Sequence, residues 1–146
     1  MRQITGRPPN FEAILAAFPG AAAPDVIFAY GDCVFVPSGR PLTPQLEAHE
    51  QVHLDRQAAL SGGAIEWWER YIADVEFRFS EELLAHQAEY RAYDPDAMAR
   101  PQRRQCLAML AERLAGPLYG GCVKLAEAKK LIRGHIHSDG SRKQIG

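Results

Sequence analysis

His49-Glu50-Gln51-Val52-His53 sets two imidazoles four residues apart with a carboxylate beside the first. On a helix, residues i and i+4 lie one above the other, so both rings can reach one ion from a single rigid face. Zinc suits two imidazoles plus an oxygen ligand, with a fourth position left for water. Glu50 is then placed to take a proton from that water without binding the metal, and the metal brings the water pKa toward ~7. The plainer reading is a solvated helix with two surface histidines. Glu47 and Asp55 flank the motif, and a nearby carboxylate can orient a histidine ring through its free nitrogen.

Two ligands need a third. No HxxGxxH continuation follows His53, and Asp55, two residues along the same helix, would point away from the metal face. The better source is the stretch Glu81 to Tyr90. There Glu82, His86, Glu89 and Tyr93 recur at i, i+4, i+7 and i+11 and share one helical face. A carboxylate from a helix packed across the motif helix would complete a two-His, one-carboxylate site.

The elements that must position these groups are legible from punctuation. Val26–Tyr30 and Cys33–Val36 are short apolar runs separated by Gly31-Asp32, which reads as a hairpin, with a short helix over Glu12–Phe18 before it. Thr43-Pro44 is an N-cap and first-turn pair opening a helix to about Leu60, closed by Gly62-Gly63. A second helix starts near Ala64, and a third, capped by Asp74, runs from Val75 to about Tyr93, where Asp94-Pro95 stops it. A fourth spans Pro101–Ala115, with a shorter fifth over Leu125–Ile132. The expectation is one mostly helical α+β domain over 1–133, a hairpin followed by about four helices, with a frayed tail over 134–146.

The pattern Glu81-Glu82-Leu83-Leu84-Ala85-His86, downstream of HExxH, resembles the third-ligand helix of gluzincin zinc metallopeptidases. More narrowly, His49 to Tyr93 is similar to small zincin-like proteins of phage and prophage genomes. It shares their Trp67-Trp68-Glu69-Arg70-Tyr71-Ile72, Phe77-Arg78 and Glu89-Tyr90-Arg91-Ala92 segments, and later Pro117 to Gly120 and Ala126 to Lys129. The resemblance implies a zincin-like fold, Zn2+ held by His49, His53 and Glu82, and Glu50 as general base. His86, Tyr90 or Tyr93 would stabilise the oxyanion, His86 being preferred because it shares the Glu82 face. A peptide or protein substrate follows, cleaved in a bacterial cytoplasm by a protein that is phage-encoded or virion-associated. The alternative is a zinc-binding scaffold or phage structural protein that keeps the fold without turnover.

Composition narrows the rest. Seventeen basic and eighteen acidic residues leave a net charge of −1, which argues against a nucleic-acid-coating domain and reads the Arg100, Arg103 and Arg104 cluster as a solvated helix start. No apolar run approaches the ~20 residues of a membrane span, and MRQITGRPPNF does not read as a secretory signal. Three cysteines without CxxC spacing suggest reduced thiols, Cys106 being a small core residue. Trp67 and Trp68 are expected in the core, and His135 and His137 in a mobile end. One edge of the hairpin could bind an extended peptide, or both strands could simply cover the motif helix.

Overall fold

The structure is a computed structural model that describes residues 1–134. Its order is β1 (Arg2–Ile4), α1 (Phe11–Ala17), β2 (Phe28–Tyr30), β3 (Cys33–Phe35), α2 (Pro44–Ala59), α3 (Gly63–Ala73), α4 (Val75–Ala92), α5 (Arg100–Leu114) and α6 (125–134). The architecture is the expected mostly helical α+β class. The expected tail and its His135 and His137 lie outside the described residues from 135 onward.

β2 and β3 pair antiparallel with Tyr30 opposite Cys33, so Gly31 and Asp32 form the two-residue turn. Gly31 takes φ +70° there, a conformation open to glycine without a Cβ clash. A third strand was not expected: β1 pairs parallel to β3, giving the order β1-β3-β2. Arg2-Gln3-Ile4 lacks any apolar alternation, and its pairing is made some thirty residues along the chain. Local pattern carries no trace of it.

The helices begin and end for the reasons their sequences give. The Thr43 hydroxyl accepts from Leu46 N–H with Pro44 in the first turn of α2, a cap that contributes about 1 kcal/mol. Asp74 accepts from the N–H groups of Glu76 and Phe77 at the start of α4. At its far end Asp94 adopts φ +53° ahead of Pro95.

Three apolar groups hold these elements. Ile14, Phe28, Trp67, Trp68 and Tyr71 join α1, the sheet and α3. Ala29, Val34, Val36 and Leu54 seat the sheet on α2. Tyr90, Cys106, Leu107, Leu110, Leu114, Ala128 and Ile132 bind α4, α5 and α6 together. Cys106 and both tryptophans are thus buried, while Arg100 and Arg104 are exposed. The principal helix pair, α2 against α4, belongs to none of these groups, because its buried side chains are mostly polar.

Candidate metal centre

α2 buries His49, His53 and Gln57, one residue per turn, together with Glu50. α4 buries Glu81, Glu82, His86 and Glu89. Where the two stripes meet, the Glu82 carboxylate bridges both imidazoles. Its Oε1 lies 3.3 Å from His49 Nε2 and its Oε2 lies 3.2 Å from His53 Nε2. One ligand atom from each of these three buried residues falls within 4.8 Å of the other two.

A surrounding layer aims the three. His49 Nδ1 donates to Glu89 Oε1 at 2.8 Å, so Nε2 is the ring nitrogen that faces Glu82. Arg113 Nη2 donates to the other Glu89 oxygen at 2.7 Å. The Tyr71 hydroxyl donates to Glu82 Oε2 at 2.7 Å. Trp67 packs its ring 5.1 Å from that of His53 and donates its indole N–H to Glu81, which also takes the Arg56 guanidinium. Glu47 and Asp55 orient neither histidine: Glu47 is exposed, and Asp55 accepts from Gln51 on the surface. Glu89, a helix away, has the part expected of them for His49.

The donor set fits a divalent cation such as zinc. Glu82 Oε1 is buried and close to His49 Nε2, yet no hydrogen bond is aligned with it. Two imidazole nitrogens and a carboxylate, all buried and pointing at one another, are the ligand types zinc takes. Without an ion the group holds itself together by protons. Burial opposes a charge on His49, but the adjacent carboxylates of Glu82 and Glu89 outweigh it and raise its pKa to about 10. Burial likewise works against the Glu82 anion, and the His53 and His49 imidazoles hold it well below the usual carboxylate range. Glu50 goes the other way: desolvation raises its pKa more than the two histidines lower it. A carboxylate whose proton affinity is raised is the better proton acceptor near neutral pH.

His49, Glu50, His53 and Glu82 all line one cavity of about 840 Å³, walled by Phe18, Phe28, Trp67, Trp68, Tyr71 and Tyr119 among others. Both tryptophans therefore serve core and cavity together. His86 does not reach it. Its Nδ1 donates to the Glu82 carbonyl at 2.6 Å, its ring sits 4.9 Å from that of His49 and 6.0 Å from that of Tyr119, and burial together with the neighbouring His49 charge lowers its pKa to about 4. Tyr90 and Tyr93 pack with the α5 cluster, away from the cavity. The hydroxyl-bearing rings at the cavity are Tyr71 and Tyr119. The shared face of Glu82, His86 and Glu89 was legible, but not the cavity's far wall. Tyr119 arrives from a 3₁₀ turn over Pro117–Tyr119, tied down by Arg78 through the Leu118 carbonyl.

The strand edge beside the cavity is partly closed. The Ala29 carbonyl already accepts from Gln57 and Trp68, and Gly31 N–H donates to Gln57 Oε1. Strand addition along β2 would have to displace these side chains. Comparison with protein-family models, curated proteins and solved structures returns no match to this chain.

Proposed function

We propose that the protein is a zinc-dependent hydrolase acting on peptide bonds, resembling the gluzincin metallopeptidases in the order and spacing of its HExxH and Glu ligands. The observation that carries this reading is the convergence of His49 Nε2 and His53 Nε2 on one buried carboxylate, at 3.3 and 3.2 Å, on the wall of a cavity large enough for a substrate segment. His49, His53 and Glu82 would hold the ion. Zinc, when bound, supplies Lewis acidity toward a carbonyl oxygen and lowers the pKa of water.

The remaining work falls to the chain's own side chains. Glu50 stands 3.8 Å from His49 Nε2 and makes no hydrogen bond to another described residue, so its Oε atoms are open to accept a proton from water and pass it to a leaving amine. The aromatic wall excludes solvent and takes apolar side chains. Tyr119, whose phenol burial holds protonated far above neutral pH, is available at the same wall as a hydrogen-bond donor to developing oxyanion charge.

The test is Glu50→Gln. Glutamine keeps size and helix propensity but cannot accept the proton. Wild-type protein with zinc is expected to cleave members of a broad peptide library in a chelator-sensitive way, and Glu50→Gln to lose ~10²–10⁴ of that rate with fold and metal retained. Equal turnover by the variant, or no cleavage by fully metallated wild type, would overturn the catalytic reading.

A further inference from the structure

Arg113 is the one arginine or lysine lining the cavity among the described residues. Its single hydrogen bond there uses one Nη2–H on Glu89, and its side chain remains 43% exposed. Glu89 in turn holds His49, so a fixed guanidinium stands one carboxylate away from a metal-ligand imidazole, through contacts of 2.7 and 2.8 Å. Folding alone needs less than this. Neutralising Glu89 takes one arm of the guanidinium, and the rest of the fork is left at the cavity wall.

We propose that Arg113 binds a carboxylate of the substrate, the free C-terminal carboxylate of a peptide in the first instance, which makes the site one for residues near a peptide's carboxyl end. The proposal rests on the hydrolase reading above and deepens it. Guanidinium matches a carboxylate in a planar, two-pronged geometry, and Glu89 fixes the plane before the ligand arrives. Reach is consistent with this. An extended peptide advances about 3.3–3.6 Å per residue, so a terminus one or two residues beyond a bond held at the metal centre falls within range of a group one carboxylate removed from His49. The cavity wall includes Phe18, Phe28, Trp68 and Tyr119 and is largely aromatic, so the preferred residue beside that terminus is large and apolar.

The experiment measures binding rather than turnover. Protein loaded with cobalt(II) is titrated with mercaptoacetyl-phenylalanine, its carboxamide, and mercaptoacetyl-glutamate α-carboxamide, following the visible spectrum as the thiol joins the metal. The free acid is expected to bind about 10–100-fold more tightly than the carboxamide, the range that a charge-assisted hydrogen bond supports. Arg113→Gln should bind acid and amide alike, and Arg113→Lys, which keeps the charge but not the fork, should retain part of the preference. Tighter binding of the glutamate probe than of the phenylalanine acid would assign the same carboxylate recognition to a side chain and overturn the terminal assignment. Equal affinity for acid and amide in wild type, or a preference that survives in Arg113→Gln, overturns the proposal while leaving the metal site standing. Failure of cobalt to develop a spectrum at all defeats the metal reading and this proposal with it.

Discussion

α4 is buried along two sides, and the two are built from opposite chemistry. Toward α5 and α6 it presents Phe79, Leu83 and Tyr90 to Leu107, Leu110, Leu114, Ala128 and Ile132, a contact that needs only volume and apolar surface. Toward α2 it presents Glu81, Glu82 and Glu89 to Arg56, His49 and His53, where every group needs a partner. Burying a carboxylate costs several kcal/mol unless it is paired and hydrogen-bonded. An apolar seam would hold these helices together with less penalty. Among the described residues, three of the four buried side-chain polar atoms without a hydrogen-bond partner lie in the polar seam: His53 Nδ1, Glu82 Oε1 and His86 Nε2. Apolar packing is concentrated on one side of α4, and the candidate metal ligands on the other.

The largest expected effect on stability belongs to the apolar side. Leu110 is fully buried among α4, α5 and α6, so Leu110→Ala should cost about 2–5 kcal/mol in denaturant unfolding. Metal content per folded chain should not change. A loss of metal in proportion to stability would show that the two sides are not separate.

On the polar side, Glu89→Gln removes the charge that holds His49 Nδ1 while keeping a hydrogen-bond acceptor. Zinc affinity, measured by competition with a chromophoric chelator, should fall about 10–100-fold, the usual effect of losing a ligand's supporting partner. The unfolding midpoint of the metal-free protein should move far less than in Leu110→Ala. Unchanged zinc affinity would remove Glu89 from the account of the site.

The last effect is in protons. His49 has its folded pKa raised to about 10 in the metal-free protein, so its contribution to stability is fully present below the unfolded value of about 6.5 and is lost as pH rises through about 10. Chelated protein should stay folded at neutral pH, since its apolar clusters do not depend on the ion. It should lose part of its thermal stability between about pH 7 and 10. The zinc-loaded form, in which His49 is neutral at every pH of that window, should show a flatter profile. Parallel melting profiles for the two forms would contradict the assignment of His49 as a ligand.

The contrast between the two sides of α4 also explains what the residues disclosed in advance. The motif helix was legible because Thr43-Pro44 and Gly62-Gly63 bracket it, and the hairpin because two β-prone runs flank Gly31-Asp32. Glu82 was reached through spacing on one helix and a family resemblance, and the structure brings it between His49 and His53. What local pattern could not reveal is pairing across the fold. Glu89 was visible as a neighbour of Glu82 on one face, but its tie to His49 is made forty residues away. Arg113 carried no signal, since an arginine near the end of α5 reads as a solvated charge until the fold sets it on the cavity wall. His86 shares the Glu82 face as the spacing implied, while its ring turns back onto the Glu82 carbonyl, a contact that spacing does not reveal. The parallel strand β1 failed for the same reason as Arg113, having a partner far along the chain and no pattern of its own.

The central claim is that His49, His53 and Glu82 hold one metal ion. X-ray absorption at the zinc edge on zinc-reconstituted protein, with elemental analysis of wild type and His53→Ala alongside, tests it most directly. The expected result is about one zinc per wild-type chain, a shell of nitrogen and oxygen at about 2.0–2.2 Å with an imidazole signature and no sulfur, and near-complete loss of metal in His53→Ala. Zinc retained at wild-type stoichiometry in His53→Ala, or a shell containing sulfur, would contradict it.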